Sequence, residues 1–320
     1  MRIAKGDKWK TTFCTHYGLF EWLMMLFGLS NAPSAFQRFM NDIFSDVLDV
    51  FVVIYLDDIL IYSDNMDDHK KHVKEILKRL RENWLYASPT KYVFHRDRIK
   101  FLGFVLGVDG LRIDKSKTQT IQNWPTLRRV KDVQSFLGFA NFYRHFIDNY
   151  AEITSPLTCL TWKNEPWSWT TDCQVVFDNI KEAFTIAPIL GHWDPESLMI
   201  LETNASDCVL AAILFTWSNG EIRPIAFYSR AFSAAEINYD VHDKELLAIV
   251  ESFKKWRHYL KGVATPVEVY TDHKNLTYFS ETKTLSQCLA RWSEFLSQFN
   301  LSIKFWPGRL GKKPDALTQR

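Results

Sequence analysis

The chain alternates between short apolar runs and amphipathic stretches. Phe51-Val-Val-Ile-Tyr-Leu56 and Ile59-Leu-Ile-Tyr62 are rich in β-forming residues and enclose Asp57-Asp58. Two such runs around two acidic residues predict a hairpin with carboxylates at its tip. Val73, Ile76, Leu77 and Leu80 then fall at helical spacing among lysines and arginines, which predicts an amphipathic helix. Phe101–Leu106 and Leu111–Ile113 flank Gly107-Val-Asp-Gly110 and predict another hairpin.

Beyond residue 115 the period changes. Val133, Phe136, Leu137, Ala140, Tyr143 and Ile147 form one helical face, and X-Pro steps such as Trp124-Pro125 and Ser155-Pro156 punctuate the region. From about residue 196 the pattern changes again. Leu198–Leu201, Val209–Phe215 and Arg223–Tyr228 predict three strands. A helix carrying Leu246, Leu247, Ile249, Val250, Phe253 and Trp256 follows, and then a strand over Val267–Tyr270. Strands, a helix, then a strand give an α/β order, distinct from the α+β start of the chain. The expected division is 1–115, 116–195 and 196–320, with Asp194-Pro195-Glu196 at the last boundary.

Composition narrows the class. With 320 residues, 47% hydrophobic and 15% aromatic, the chain can fill large cores, which excludes a disordered segment or a disulfide-stapled scaffold. The five cysteines are scattered without CxxC spacing, against a zinc knuckle and for a reducing compartment. No signal peptide or run long enough to span a membrane is evident, so no membrane partner is expected. The net charge of +2 excludes a uniformly basic coat. Charge is nevertheless uneven. Between Lys91 and Lys131, ten basic residues face three acidic ones, a local excess of seven that phosphate contacts could use and that a solvated surface would equally explain.

Tyr55-Leu56-Asp57-Asp58 carries the sharpest chemistry. Adjacent carboxylates on a rigid turn suit Mg²⁺, which binds through one or two carboxylates together with substrate phosphates. The same string alone is also compatible with an ordinary acidic turn.

Longer motifs decide between these readings. Gly6–Thr11 with Tyr17–Trp22, then Phe27-Gly28-Leu29-Ser30-Asn31-Ala32-Pro33-Ser34-Ala35-Phe36-Gln37, Tyr55–Asp58, Phe101–Phe104 and Ser135–Arg144 occur in an order that resembles the pol-encoded reverse transcriptase of gypsy-type long-terminal-repeat retrotransposons. Lys244-Glu245-Leu246-Leu247-Ala248, Thr271-Asp272-His273 and Pro314-Asp315-Ala316-Leu317 resemble the ribonuclease H that follows it. The resemblance covers essentially the whole chain. It implies a truncated right-hand palm and thumb, a helical connection region, and a C-terminal ribonuclease H-like domain with a mixed sheet.

It also implies RNA-directed DNA polymerase and hybrid-ribonuclease activities. Asp57 and Asp58 would hold metal for the polymerase, and Glu245, Asp272 and Asp315 would hold it for the ribonuclease. The cofactor would be Mg²⁺, with Mn²⁺ as a substitute. Phe27, Gly28, Gln37, Tyr55 and Lys91 would shape the nucleotide and template site. The implied partners are an RNA template, a DNA primer, an RNA–DNA hybrid and deoxynucleoside triphosphates, and the family admits a homodimer. The implied location is the cytoplasm, virus-like particles or the nucleus.

Two departures stand out. The family writes Thr-Asp-Ala-Ser where this chain has Thr203-Asn204-Ala205-Ser206. Asparagine keeps the shape and a carbonyl oxygen but lacks the charge that offsets two divalent cations. If Asp207 lies in a strand, it points to the opposite face from Asn204 and does not substitute. The family's third polymerase aspartate precedes the segment matching Arg2-Ile3, beyond Met1. Impaired catalysis is therefore the expectation. The alternative is a non-catalytic nucleic-acid-binding relic of a decayed pol gene, gripping hybrid through the basic strip and tryptophans such as Trp124 and Trp256.

Overall fold

The structure is a computed structural model that describes residues 1–218, 220–272 and 287–306. It divides into two compact units, Met1–Asp97 and Arg98–Arg320.

The first unit opens with a small antiparallel pair, β1 (Phe13–Thr15) and β2 (Gly18–Phe20). Helix α1 (Ala32–Phe44) follows, then the predicted hairpin as β3 (Val52–Tyr55) and β4 (Asp58–Ile61), then helix α2 (Met66–Glu82). Asn65 caps α2 by accepting the Asp68 backbone N–H at 2.9 Å. Met40 and Phe44 of α1, Val52 and Ile54 of β3, and Ile76 and Leu80 of α2 share one core. The hairpin therefore rests on two helices. Leu77, expected on the apolar face, is exposed; Val73, Ile76 and Leu80 are buried. A 3.6-residue turn places those three on one stripe and carries Leu77 to its margin.

The second unit begins with a three-stranded antiparallel sheet of β5 (Arg98–Phe101), β6 (Phe104–Gly107) and β7 (Gly110–Ile113). The apolar run Phe101–Leu106 is thus broken by a tight turn at Leu102-Gly103. Both residues have positive φ, 52° and 85°, the geometry that matches strand twist in a two-residue hairpin. Helices α3 (Lys115–Gln122), α4 (Val130–Phe142), α5 (Tyr150–Ile153), α6 (Ser155–Cys159) and α7 (Thr171–Thr185) come next, so the predicted helical zone is helical. Val133, Phe136 and Ala140 of α4 pack with Phe177, Ile180 and Phe184 of α7.

A five-stranded mixed sheet follows, built from β8 (Leu198–Ala205), β9 (Val209–Ser218), β10 (Glu221–Ala231), β11 (Val267–Thr271) and β12 (Leu301–Phe305) in the order β10-β9-β8-β11-β12. β8, β9 and β10 are antiparallel neighbours; β11 runs parallel to both β8 and β12. Helix α8 (Val241–Lys255) lies on this sheet, followed by α9 (Arg257–Leu260) and α10 (Gln287–Leu296). Leu246, Ile249, Val250 and Phe253 of α8 bury against Met199, Leu201, Leu214, Val267 and Val269.

The outer side of edge strand β10 is covered. The Ala151 N–H donates to Ser229 Oγ at 2.9 Å, and the Arg144 guanidinium donates to the Ser229 carbonyl. Leu111 and Leu190 exchange backbone hydrogen bonds of 2.8 and 2.9 Å, and the Gly191 N–H donates to the Pro224 carbonyl at 2.7 Å. Residues 190 and 191 thus stitch β7 to β10. Pro224 sits where the β9–β10 register shifts, so its missing N–H costs the ladder nothing.

One ion pair gives this unit a pH signature. Arg230 donates to both Glu236 carboxylate oxygens at 2.7 and 2.9 Å. Those hydrogen bonds hold the carboxyl down to about 2, with the Ser233 N–H adding to the effect. A depressed carboxyl stabilises the fold fully above its ordinary value and loses that contribution as pH falls toward 2. After allowance for solvent screening the contribution is about 2 kcal/mol. Glu236→Gln is expected to lower stability by that amount at pH 6 and by almost nothing near pH 2. Equal melting differences at both pH values would contradict it.

Candidate functional site

Two groups of acidic side chains occupy the ends of strands. In the first unit, Tyr55 pairs with Asp58, so the connecting turn is Leu56-Asp57. Asp57, Asp58 and Tyr55 are all exposed, and Leu56 takes a left-handed φ of 51°. A leucine rarely adopts that conformation unless its surroundings impose it. Gln37 on α1 supplies the constraint. Its side-chain carbonyl accepts the Leu56 N–H at 2.7 Å, and its Nε2 donates to the Ile54 carbonyl at 3.0 Å. The second Nε2 hydrogen goes to Asn41 Oδ1 at 2.8 Å. The Gln37 amide thus straddles Tyr55 and fixes the backbone that aims both aspartates. Both of its amide hydrogens are committed to the chain, so Gln37 sits beneath the turn as a support. The spacing of Gln37 and Tyr55 gives no sign of this clamp.

The remaining residues of that set lie elsewhere in the unit. Phe27 is fully exposed beside Gly28, whose φ of 96° favours glycine. Lys91 is exposed and closes a short 3-10 turn, Pro89–Lys91.

In the second unit, Asn204 is exposed near the end of the central strand β8. The Ala205 N–H beside it donates to Glu245 Oε1 at 2.9 Å. Glu245 projects from α8 and is 2% exposed. Tyr270 on β11 lies abreast of Glu202 on β8. Continuing that register by two residues places Asp272, exposed just past β11, abreast of Asn204. Three of the four expected positions therefore gather at one end of the sheet. Asp315, the fourth, lies outside the described residues. Asp207 is not in a strand: it sits in the β8–β9 turn, where its carbonyl accepts the Lys244 ammonium at 3.1 Å.

The donor set fits a hard divalent cation. It offers two carboxylates and an amide carbonyl, all oxygen, with one negative charge fewer than an aspartate at 204 would give. The start of α8 holds a further group that the sequence reading missed. Ligand atoms of Asp240, His242 and Asp243 lie within 4.8 Å of one another, the one such group among the described residues. An Asp-x-His-Asp string at a helix start is the signal that could have found it.

The basic strip is partly neutralised. Arg98 and Arg112 pair with Asp109, Lys100 pairs with Asp114 at 3.0 Å, and Arg129 pairs with Asp132 at 2.9 Å. Lys115, Lys117, Arg128 and Lys131 make no ion pair among the described residues. Trp124 is half-buried against Phe136 and Phe139 and opens onto a cavity of about 620 Å³ shared with Thr120, Asn123 and Ser135. Trp256 corrects the expectation of a stacking platform. It is 3% exposed in the core of the mixed sheet, so no base can reach it.

Comparison with known proteins finds two family matches and relatives along the whole chain. Residues 1–106 match the family described as reverse transcriptase (RNA-dependent DNA polymerase). Residues 194–299 match the RNase H-like domain found in reverse transcriptase. The Tf2-3 and Tf2-7 transposon polyproteins of Schizosaccharomyces pombe are each 37% identical over the whole chain. The chain spans 24% of the length of those polyproteins. Among solved structures, the foamy viral protease-reverse transcriptase dRH in complex with double-stranded DNA is 26% identical, with a TM-score of 0.81 over 95% of this chain and 54% of that one. The foamy viral protease-reverse transcriptase in complex with RNA/DNA hybrid is 25% identical, with a TM-score of 0.77 over 96% of this chain and 42% of that one.

Proposed function

This chain belongs to the reverse transcriptase and ribonuclease H family of long-terminal-repeat retrotransposon polyproteins, and on that premise we propose that it forms the polymerase palm, thumb and hybrid-cleaving parts of such an enzyme. Residues 1–115 would supply the palm and the start of the thumb, 116–195 the thumb and connection, and 196–320 the ribonuclease H-like domain. The ligands would be an RNA template, a DNA primer, their hybrid and deoxynucleoside triphosphates, within the cytoplasm or virus-like particles.

The observation that carries this reading is the convergence of Asn204, Glu245 and Asp272 on one end of a mixed sheet. Bound Mg²⁺ would supply Lewis-acid stabilisation of charge on the transferred phosphate. The chain's own part is to hold the oxygen donors. Glu245 is fixed by the Ala205 N–H, and Asp57 and Asp58 are fixed by the turn that Gln37 clamps. In the polymerase, Tyr55 and Lys91 would flank the nucleotide, and Phe27 and Gly28 would border the template.

The alternative, a binding relic without catalysis, is favoured by one residue: Asn204 offers a neutral amide where the ribonuclease reading wants a charge. Primer extension and hybrid binding separate the two. If this chain polymerises, it extends a primer in Mg²⁺, and Asp57→Asn lowers extension by on the order of 100-fold with hybrid affinity unchanged. Salt-sensitive hybrid binding with no extension by either form would instead support the relic.

A further inference from the structure

The two strands that carry Asp57 and Asp58 have a second point of attachment, at their roots. Phe51 immediately precedes β3, and Tyr62-Ser63 follow β4. The Tyr62 N–H donates to the Phe51 carbonyl at 3.0 Å and closes the base of the hairpin. His72 of α2 touches both roots. Its ring lies flat on Phe51, with centroids 3.9 Å apart and planes 6° from parallel. Its Nδ1 lies 2.7 Å from Ser63 Oγ. His69, one turn earlier, places its own Nδ1 3.3 Å from the same oxygen.

A proton count fixes the roles. A serine hydroxyl has one hydrogen and two lone pairs. Ser63 Oγ lies 2.6 Å from the Tyr62 carbonyl, which can only accept, so the hydrogen goes there. The lone pairs then take an N–H from each imidazole, which makes both rings Nδ1–H tautomers. One hydroxyl thereby joins β4 to two turns of α2, while the face of His72 joins β3 to the same helix.

We propose that His72 is a positioning residue for the Asp57–Asp58 turn, acting through Phe51 and Ser63. The inference rests on the polymerase reading of that turn. The tip lies about five residues from Ser63, a lever of roughly 16 Å at strand rise, so a small rotation at the root displaces the carboxylates. Gln37 clamps the far end of the same lever. With both ends tied, the tip keeps the fixed geometry that shared metal and phosphate contacts require.

Around His72, the groups that titrate or carry charge are His69, His95 and the Asp68–Lys71 pair. His95 meets His69 edge-on at 5.2 Å, and Asp68 is paired with Lys71 at 2.8 Å. At the hairpin root itself, Asp49 lies two residues before Phe51, and burial together with the Asp49 charge raises the Tyr62 phenol. The stack goes to Phe51 through the ring face and the hydrogen bond to Ser63 through Nδ1, so the two can be removed separately.

Mn²⁺ titration of the full chain, read by paramagnetic broadening of isoleucine methyl signals, tests the idea. Ile54 and Ile59 face each other one register step from the turn and report occupancy there. Ile200 on β8 reports the other acidic group independently. His72→Ala is expected to weaken Mn²⁺ binding at Ile54 and Ile59 about fivefold or more and to leave the Ile200 response unchanged. His72→Phe keeps the stack, His72→Asn keeps a donor, and each should lose about half as much on a logarithmic scale. If His72→Ala unfolds the unit, those two variants carry the test. Unchanged affinity in folded variants overturns the positioning role alone. No broadening at Ile54 and Ile59 in the unaltered chain overturns the polymerase reading of the turn, and the positioning role with it.

Discussion

Asn204→Asp is expected to raise Mg²⁺-dependent cleavage of RNA in an RNA–DNA hybrid by on the order of 100-fold over the unaltered chain. The geometry makes the change a clean one. Asn204 is exposed, so an isosteric carboxylate meets no packing penalty. It lies beside the Ala205 N–H that anchors Glu245 and abreast of Asp272. In the absence of metal, the new charge repels those two carboxylates and should slightly lower the melting temperature. Saturating Mg²⁺ should reverse that sign, because a ligand bound only by the folded state stabilises it. Melting with and without Mg²⁺ checks the electrostatics, and a labelled hybrid checks the chemistry. Equal cleavage by both forms would show that charge at 204 is not limiting. Inert forms that both bind hybrid would move the defect elsewhere and favour the relic.

Gly110→Ala is expected to cost about 3 kcal/mol or more, the largest single-residue loss we anticipate in the second unit. Gly110 has a φ of 128°, and a Cβ built there would lie 2.1 Å from the Leu190 carbonyl oxygen. That oxygen already accepts the Leu111 N–H at 2.8 Å. The methyl must displace the backbone of residue 190, which strains the Gly191–Pro224 bond as well. Gly262→Ala is the control: its φ is also positive, at 81°, but nothing lies within 4 Å of the added carbon. It should cost only the backbone strain, about 1 kcal/mol. Similar melting shifts for the two variants would sink the stitching argument.

Both predictions depend on contacts of different visibility in the sequence. The hairpin around Asp57-Asp58 and the helices over 66–82 and 241–255 are legible because their apolar periods are local. The Asn204 departure is legible because a single letter breaks an ordered motif. The break at Leu102-Gly103 is not, because a leucine at φ 52° follows from the turn geometry of its neighbours and not from its own preference. The Gln37 clamp and the His72 contact join residues 19 and 21 positions from their backbone or ring partners, so no period records them. Trp256 misleads for a different reason. An indole suits stacking on a base and filling a core equally well, and only the fold decides between them. Strand β12 escapes because Leu301-Ser-Ile-Lys-Phe305 is short, and its pairing partner lies 34 residues away.

The stitch along β10 also bears on how chains of this family can be cut and recombined. The sequence pattern places a boundary near Asp194-Pro195, yet Gly191, Arg144 and Ala151 hydrogen-bond along the edge strand. A piece starting at residue 196 would leave the Pro224 and Ser229 carbonyls without those partners, on an edge open to any passing strand. The unit that can be exchanged between relatives with its sheet still closed therefore begins before β5, and the acidic end of its mixed sheet is inherited together with the three-stranded sheet at 98–113.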